Sequence, residues 1–246
     1  KHDLLIWDNY PVNDFDRNRL FLGPLVGRDA NLSPEHGVVG LTANPMNEAE
    51  ASKISLFTVA DYTWNPEAYD PNASLEQSLN EFAGDASEVL KVFVESSYSS
   101  SLNNNKEPYS EKLSTLMEQF WSSYEAKTGQ EGADVLLQEF NKLKSTPSKL
   151  RETLDNPNFL DEVDPYLNKL EFYGVAGEAA IKMLLAEQEN NIEVAAEQKT
   201  ILQDTMNELA KIPQKLSLGV IPNFLDRALN GVNLAEGKTA KASSSE

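Results

Sequence analysis

One apolar stripe constrains this chain more than any other feature. Leu113, Leu116, Met117, Phe120, Trp121 and Tyr124 fall at i, i+3, i+4, i+7, i+8 and i+11. On a 3.6-residue period that is one broad hydrophobic face of an α-helix. Segments 132–145, 165–187, 191–210 and 222–229 predict further helices, with Pro165 in a first-turn position after Asp164. No strand-like run separates them and the connections are short, so together they predict an up-and-down helical bundle.

Upstream the pattern is different. Residues 4–7 (LLIW) form a continuous apolar run that ends in polar residues, and residues 37–43 (GVVGLTA) repeat it before Asn44-Pro45. Both have the form of strands buried on two faces. Between them RLFLGPLVGRD is broken by Gly23, Pro24 and Gly27, which predicts a structured connection. EAEASKISLFTVADYTW predicts a helix stopped by Asn65-Pro66. Ser74 with Gln77 predicts a capping box ahead of Leu75, Leu79 and Phe82, and Asp85 with Glu88 a cap ahead of Val89, Val92 and Phe93. The expected fold class is therefore mainly α with a small α/β part. The polar run SSYSSSLNNN, residues 96–105, is the best boundary between the two parts.

Composition excludes several functions. Net charge is −18 with pI near 4.5, which opposes phosphate-backbone binding, so nucleic acid is not an expected partner. No run approaches the roughly 18 apolar residues of a membrane span. The chain has no cysteine, which removes disulfides, thiolate catalysis and Cys-based metal sites together. Its two histidines, His2 and His36, form no nucleophile–base arrangement with a GxSxG motif, and no Gly-rich phosphate loop is present. No cofactor or metal is expected. Asp161-Glu162 predicts a solvated helix face, and Phe120, Trp121 and Tyr124 predict core. A cysteine-free acidic chain suits a secreted bacterial protein and equally an acidic cytosolic one. Lys1-His2-Asp3 leads straight into the first strand with no leader peptide, so the chain is expected to be an interior piece of a longer polypeptide.

DNYPVNDF, residues 8–15, is the candidate site. Asn, Asp and Pro are turn formers for local reasons, but Trp7 ends the strand where a sugar face can stack. Asn9, Asn13 and Asp14 carry donors and acceptors suited to hydroxyls. A second strand ends similarly at Thr42-Ala43-Asn44-Pro45. In a parallel barrel, polar residues at carboxyl strand ends converge on one mouth.

IWDNYPVNDF, LFLGPLVGRD and GLTANPMNEAEASKISLFTVADYTWNP closely resemble glycoside hydrolase family 84, the β-N-acetylglucosaminidases that include bacterial hyaluronidases and O-GlcNAc hydrolases. The resemblance spans residues 3 to 70 and continues more loosely through DPYLNKLEFYGVAGEAAIKMLLA, which is similar to a helix of the family's bundle. NLAEGKTAKASSSE resembles the opening of a family 32 carbohydrate-binding module.

The resemblance implies a fold and a site. Residues 1–98 would be the last two βα units of a (β/α)8 catalytic barrel with trailing helices, 99–235 a helical bundle domain, and 236–246 a linker into the truncated module. Trp7 and Asn9 match the end of barrel strand seven, Asp14 the carboxylate of its following loop, and Asn44 the end of strand eight. By carry-over Asp14 binds the outer hydroxyls of N-acetylglucosamine with Asn44 beside it, Asn9 lies near the acetamido group, and Trp7 walls the pocket. The family's catalytic Asp-Asp pair follows strand four. One member positions the substrate's own acetamide for attack on the anomeric carbon, and the other protonates the leaving oxygen. That pair would lie upstream of Lys1, and no adjacent Asp-Asp occurs in this chain. The expected catalytic residues in the chain are therefore none. The expected partners are N-acetylglucosamine-bearing glycoconjugates and the missing amino-terminal half of the barrel. The expected location is secreted or cell-surface. The competing reading is a helical interaction or scaffold module without a catalytic role.

Overall fold

The computed structural model describes residues 2–98, 110–128 and 130–231. Most of the predicted 96–105 joint and all of residues 236–246, with the module opening expected there, lie outside the described residues.

Strand β1 (Leu4–Asp8) pairs in parallel with β2 (Val38–Ala43), and Trp7 faces Thr42 while Asp8 faces Ala43. A parallel pair needs a crossover, and the long connection supplies it with one short 3-10 turn, Pro34–His36, as its regular structure among the described residues. Leu20, Phe21, Leu22 and Leu25 from that connection are core residues. Ser55 of α1 (Ala49–Trp64) donates to the Phe21 carbonyl at 2.6 Å, and Thr58 Oγ1 accepts from Leu25 N at 2.9 Å. These bonds replace the ladder that an irregular buried segment lacks.

The strands themselves depart from expectation. Leu4 is 57 % exposed, Leu5 67 %, Trp7 73 % and Val39 57 %. The apolar run forms a strand, but among the described residues the sheet has two strands and nothing covers these side chains.

Helices follow: α2 (Pro71–Ala83), a 3-10 turn (Gly84–Ala86), α3 (Ser87–Ser96), α4 (Glu111–Glu125), α5 (Gln130–Thr153), α6 (Pro157–Gln188), α7 (Ile192–Leu209) and α8 (Ile221–Asn230). The α4 stripe packs as predicted, with Leu113, Met117, Phe120 and Trp121 buried. Four predicted ends move. The start of α2 is set by Asp70, whose carboxylate accepts from Ala73 N, and not by Ser74. Pro71 at the first helical position makes the earlier start compatible with proline. Asp85 lies inside the 3-10 turn and caps nothing. Helix α6 starts at Pro157, capped by Asn156 Oδ1 accepting from Phe159 N at 3.0 Å, and runs through Pro165. The missing hydrogen bond at Pro165 is outweighed because Phe159 and Val163, ahead of it, are fully buried. Likewise α5 continues through Pro147 to Thr153, past the predicted end, because Leu150 is fully buried there.

Helix α6 is the central element, packed along α5 and α7 and touching α1 and α8. Glycines permit that closeness: a Cβ at Gly174 would lie 2.4 Å from Lys144 N, and one at Gly177 2.1 Å from the Phe140 ring. One apolar cluster runs without a break from Tyr10 to Ala228. Phe159 of α6 meets Phe82 of α2 and Phe93 of α3 edge-on, with centroids 5.1 and 6.5 Å apart. The α/β part and the bundle thus share a core.

Candidate functional site

The parallel register places the carboxyl ends of β1 and β2 side by side, and Asn44 N donates to the Asp8 carbonyl at 2.9 Å. Three of the four predicted residues meet there. Trp7 Nε1 donates to Asn9 Oδ1 at 2.9 Å, and Asn44 Nδ2 donates to the same oxygen at 3.3 Å. An indole nitrogen can only donate, so it fixes which way the Asn9 amide faces. Asn9 therefore turns its Nδ2 away from this cluster, and Asn44 keeps its Oδ1 as an acceptor. The result is an exposed indole beside one amide donor and one amide acceptor, a surface that can meet hydroxyl and amide groups together. Asp14 is not part of this cluster. It lies exposed in a turn closed by Asp16 N donating to the Asn13 carbonyl, and it forms no hydrogen bond or ion pair with a described residue.

Supports behind the cluster include a partly buried ion pair and a buried amide. Asp8 and Arg28 form a two-pronged ion pair, Nε and one terminal nitrogen each 2.7 Å from a carboxylate oxygen. This pins the end of β1 to the connection. Asn13 differs from expectation. It is fully buried, donates to the Arg19 carbonyl at 2.9 Å and to Glu48 Oε2 at 2.7 Å, and accepts from Asn47 N at 3.1 Å. Fully buried and with both amide hydrogens already donated, it faces no ligand and ties the Asp14 loop to the Asn44 loop. The Tyr10–Pro11 peptide is cis, and Tyr10 is buried with its hydroxyl on the Gly23 carbonyl.

Glu162 also departs from expectation. Its two oxygens accept from Glu50 N and Ala51 N, each at 3.0 Å, so it caps α1 instead of facing solvent. Asn156 Nδ2 donates to Glu50 Oε2 at 2.9 Å, and with Lys53 it holds the Glu50 carboxyl below the ordinary carboxylate range. Sequence reasoning missed Arg28, Glu48 and Glu162 because each finds its partner 20 or more positions away. No motif spacing announces such pairs. Among the described residues, no group of three or more His, Asp or Glu is arranged to hold a metal ion, and no helix is long and apolar enough to cross a membrane.

Comparison with known proteins is consistent along the chain. Residues 1–95 match the family model of β-N-acetylglucosaminidase, and residues 112–225 that of the hyaluronidase post-catalytic domain-like family. The protein O-GlcNAcases of Rattus norvegicus and Mus musculus are each 45 % identical over 60 residues, covering 24 % of this chain and 6 % of theirs. Among solved structures, CpGH84B superposes with a TM-score of 0.83 at 29 % identity, over 92 % of this chain and 40 % of its own. A mutant of the Thermobaculum terrenum O-GlcNAc hydrolase gives 0.82 at 28 % identity, over 92 % and 48 %. CpGH84D, at 23 % identity and a TM-score of 0.84, shares the fold. The chain spans less than half the length of these structures and a small fraction of the curated relatives. With an α/β segment that matches the β-N-acetylglucosaminidases and a bundle that matches their post-catalytic domain, the chain belongs to glycoside hydrolase family 84.

Proposed function

We propose that this chain supplies part of the sugar pocket of a secreted or cell-surface bacterial β-N-acetylglucosaminidase, one that removes terminal β-linked N-acetylglucosamine from glycoconjugates. β1 and β2 are adjacent strands of a (β/α)8 barrel, and the Trp7–Asn9–Asn44 cluster at their carboxyl ends lies at its mouth. Trp7 walls the pocket, Asn9 faces the acetamido group, and Asp14 and Asn44 bind the outer hydroxyls. Hydrolysis is retaining and substrate-assisted: the acetamide attacks the anomeric carbon while an Asp-Asp pair, absent from these 246 residues, positions it and protonates the leaving oxygen. That pair belongs to upstream barrel strands, which also cover Leu4, Leu5 and Val39.

The observation that carries this reading is the exposed hydrogen-bonded trio at two paired strand ends. The same strands present apolar side chains that call for a covering layer. The test is turnover of a chromogenic N-acetylglucosaminide by the full-length polypeptide carrying this chain, beside the 246-residue chain alone. Turnover by the full-length form alone is expected. Turnover by the chain alone would overturn the upstream assignment of the catalytic pair, and an inactive full-length form would overturn the function.

A further inference from the structure

We propose that helix α6 of the bundle is a positioning element for the sugar-binding loops, acting through Glu162 and Tyr166. The inference rests on the reading of Asp14 and Asn44 as sugar ligands. Both loops have anchors on α6. Tyr166, itself buried, donates its hydroxyl to the Arg17 carbonyl at 3.2 Å, three positions after Asp14. Lys169, one turn along α6, donates to the Ile212 carbonyl at 2.8 Å. From that segment Lys215 N donates to the Asn18 carbonyl at 2.7 Å, and Lys215 Nζ meets Asp16 Oδ2 at 2.8 Å. The outer side of the Asp14 loop is thus held by α6 directly and by a segment that α6 holds.

The Asn44 loop is reached by a second route. Glu162 receives the first N–H groups of α1, where an anion is favoured by the unsatisfied donors and the helix dipole. Just before that turn, Glu48 accepts from Asn13, and Asn47 N donates to Asn13 Oδ1. Ser52 Oγ then accepts from Met46 N at 3.0 Å. Moving α6 therefore moves the start of α1, and with it the segment between Asn44 and Glu48 and the buried amide beneath Asp14. Phe15, next to Asp14, stacks on the buried Phe21 with ring centroids 5.6 Å apart, and the polar anchors fix the backbone on the far side of Asp14, so both together set where its carboxylate stands. A carboxylate displaced by a fraction of an ångström loses hydrogen bonds made both to bound substrate and in the transition state, which raises KM and leaves kcat.

The test uses the full-length polypeptide with Tyr166→Phe, Glu162→Ala, Glu162→Gln, Asp14→Ala and the double variant Tyr166→Phe/Asp14→Ala. Tyr166→Phe and Glu162→Ala are each expected to raise KM by about 3–10-fold with kcat within about twofold, and Glu162→Gln, which retains one acceptor oxygen, by less. In the Asp14→Ala background Tyr166→Phe should add nothing, because it acts through that carboxylate. A purely structural role would lower the unfolding midpoint and the active fraction, hence apparent kcat, while leaving KM unchanged. That result, or full additivity in the double variant, would overturn the inference. If Asp14→Ala is itself neutral, the sugar-pocket reading falls and takes the inference with it. If Asp14→Ala is impaired and the α6 variants keep normal KM, the inference alone falls. Should Glu162→Ala fail to fold, Tyr166→Phe and Glu162→Gln, the smaller changes, carry the comparison.

Discussion

Glu162 Oε2 lies 3.0 Å from the backbone N–H of Ala51, 111 positions away along the chain. Its other oxygen takes the N–H of Glu50. A bundle helix therefore closes the first turn of the helix that follows β2, where the N-cap residue Glu48 makes no side-chain capping hydrogen bond of its own. The cap is tertiary, a second link between the two matched family segments besides their shared apolar core.

If the proposed sugar role holds, Asp14→Ala is expected to lower kcat/KM of the full-length polypeptide by about a hundredfold or more while leaving the unfolding midpoint unchanged. A hydrogen bond to a charged group contributes roughly 1.5–3 kcal/mol, and the proposed role gives Asp14 two ring hydroxyls. Asp14 has no partner among the described residues, so its removal breaks no bond within the fold. Steady-state kinetics and urea unfolding on one variant check both halves. Normal kinetics would mean the residue only shapes a turn.

Gly174→Ala should destabilise the chain despite the better helix propensity of alanine. Propensity favours Ala by about 1 kcal/mol in a helix interior. Overpacking costs about 1–3 kcal/mol, and here the new Cβ would meet the backbone of Lys144 at 2.4 Å, which cannot rotate away. Overpacking wins, and the urea midpoint should fall. A rise would mean that α5 and α6 separate more easily than their packing implies.

Phe159→Ala should cost about 3–5 kcal/mol, the range for a fully buried aromatic ring. Phe159 is fully buried and touches rings from α2 and α3. Because these contacts join the α/β part to the bundle, loss of the ring should lower the melting of both parts together. Circular dichroism at a helical wavelength and Trp121 fluorescence should shift by the same amount in a thermal scan; two separated transitions would show that the shared core does not make folding cooperative.

Acid sensitivity should depend in part on Glu178. Burial by itself would raise its carboxyl. Hydrogen bonds from Lys144 and Asn141, with the charges of Lys144 and Lys182, outweigh that and hold it below the ordinary value of 4.5. Lys144 Nζ lies 2.8 Å from Oε2 across the α5–α6 contact. A depressed folded-state pKa stabilises the fold fully above the unfolded value and is lost as pH falls through the folded one. Urea midpoints of the native chain and Glu178→Gln should therefore converge as pH drops below about 4.5, with the variant less stable above it. Parallel curves across that window would remove Glu178 from the acid response.

The local features were legible without coordinates. Buried α4 positions recur every three or four residues, so Leu113, Met117, Phe120 and Trp121 declare their helix and its inner face together. The strands, too, end where polar residues replace apolar ones, which placed Trp7, Asn9 and Asn44 at adjacent ends. Hydrophobic periodicity is a property of one element, and a short window of sequence contains all of it. Tertiary structure alone decided that Asn13 turns inward, that Glu162 caps a distant helix, that α6 continues through Pro165, and that Leu4 and Leu5 stand exposed. Each of these outcomes depends on what another part of the chain brings within about 3 Å, or fails to bring at all. A carboxylate at 162 has the same local signature whether it meets water or the amide of Ala51, so only the folded arrangement distinguishes a solvated face from a helix cap.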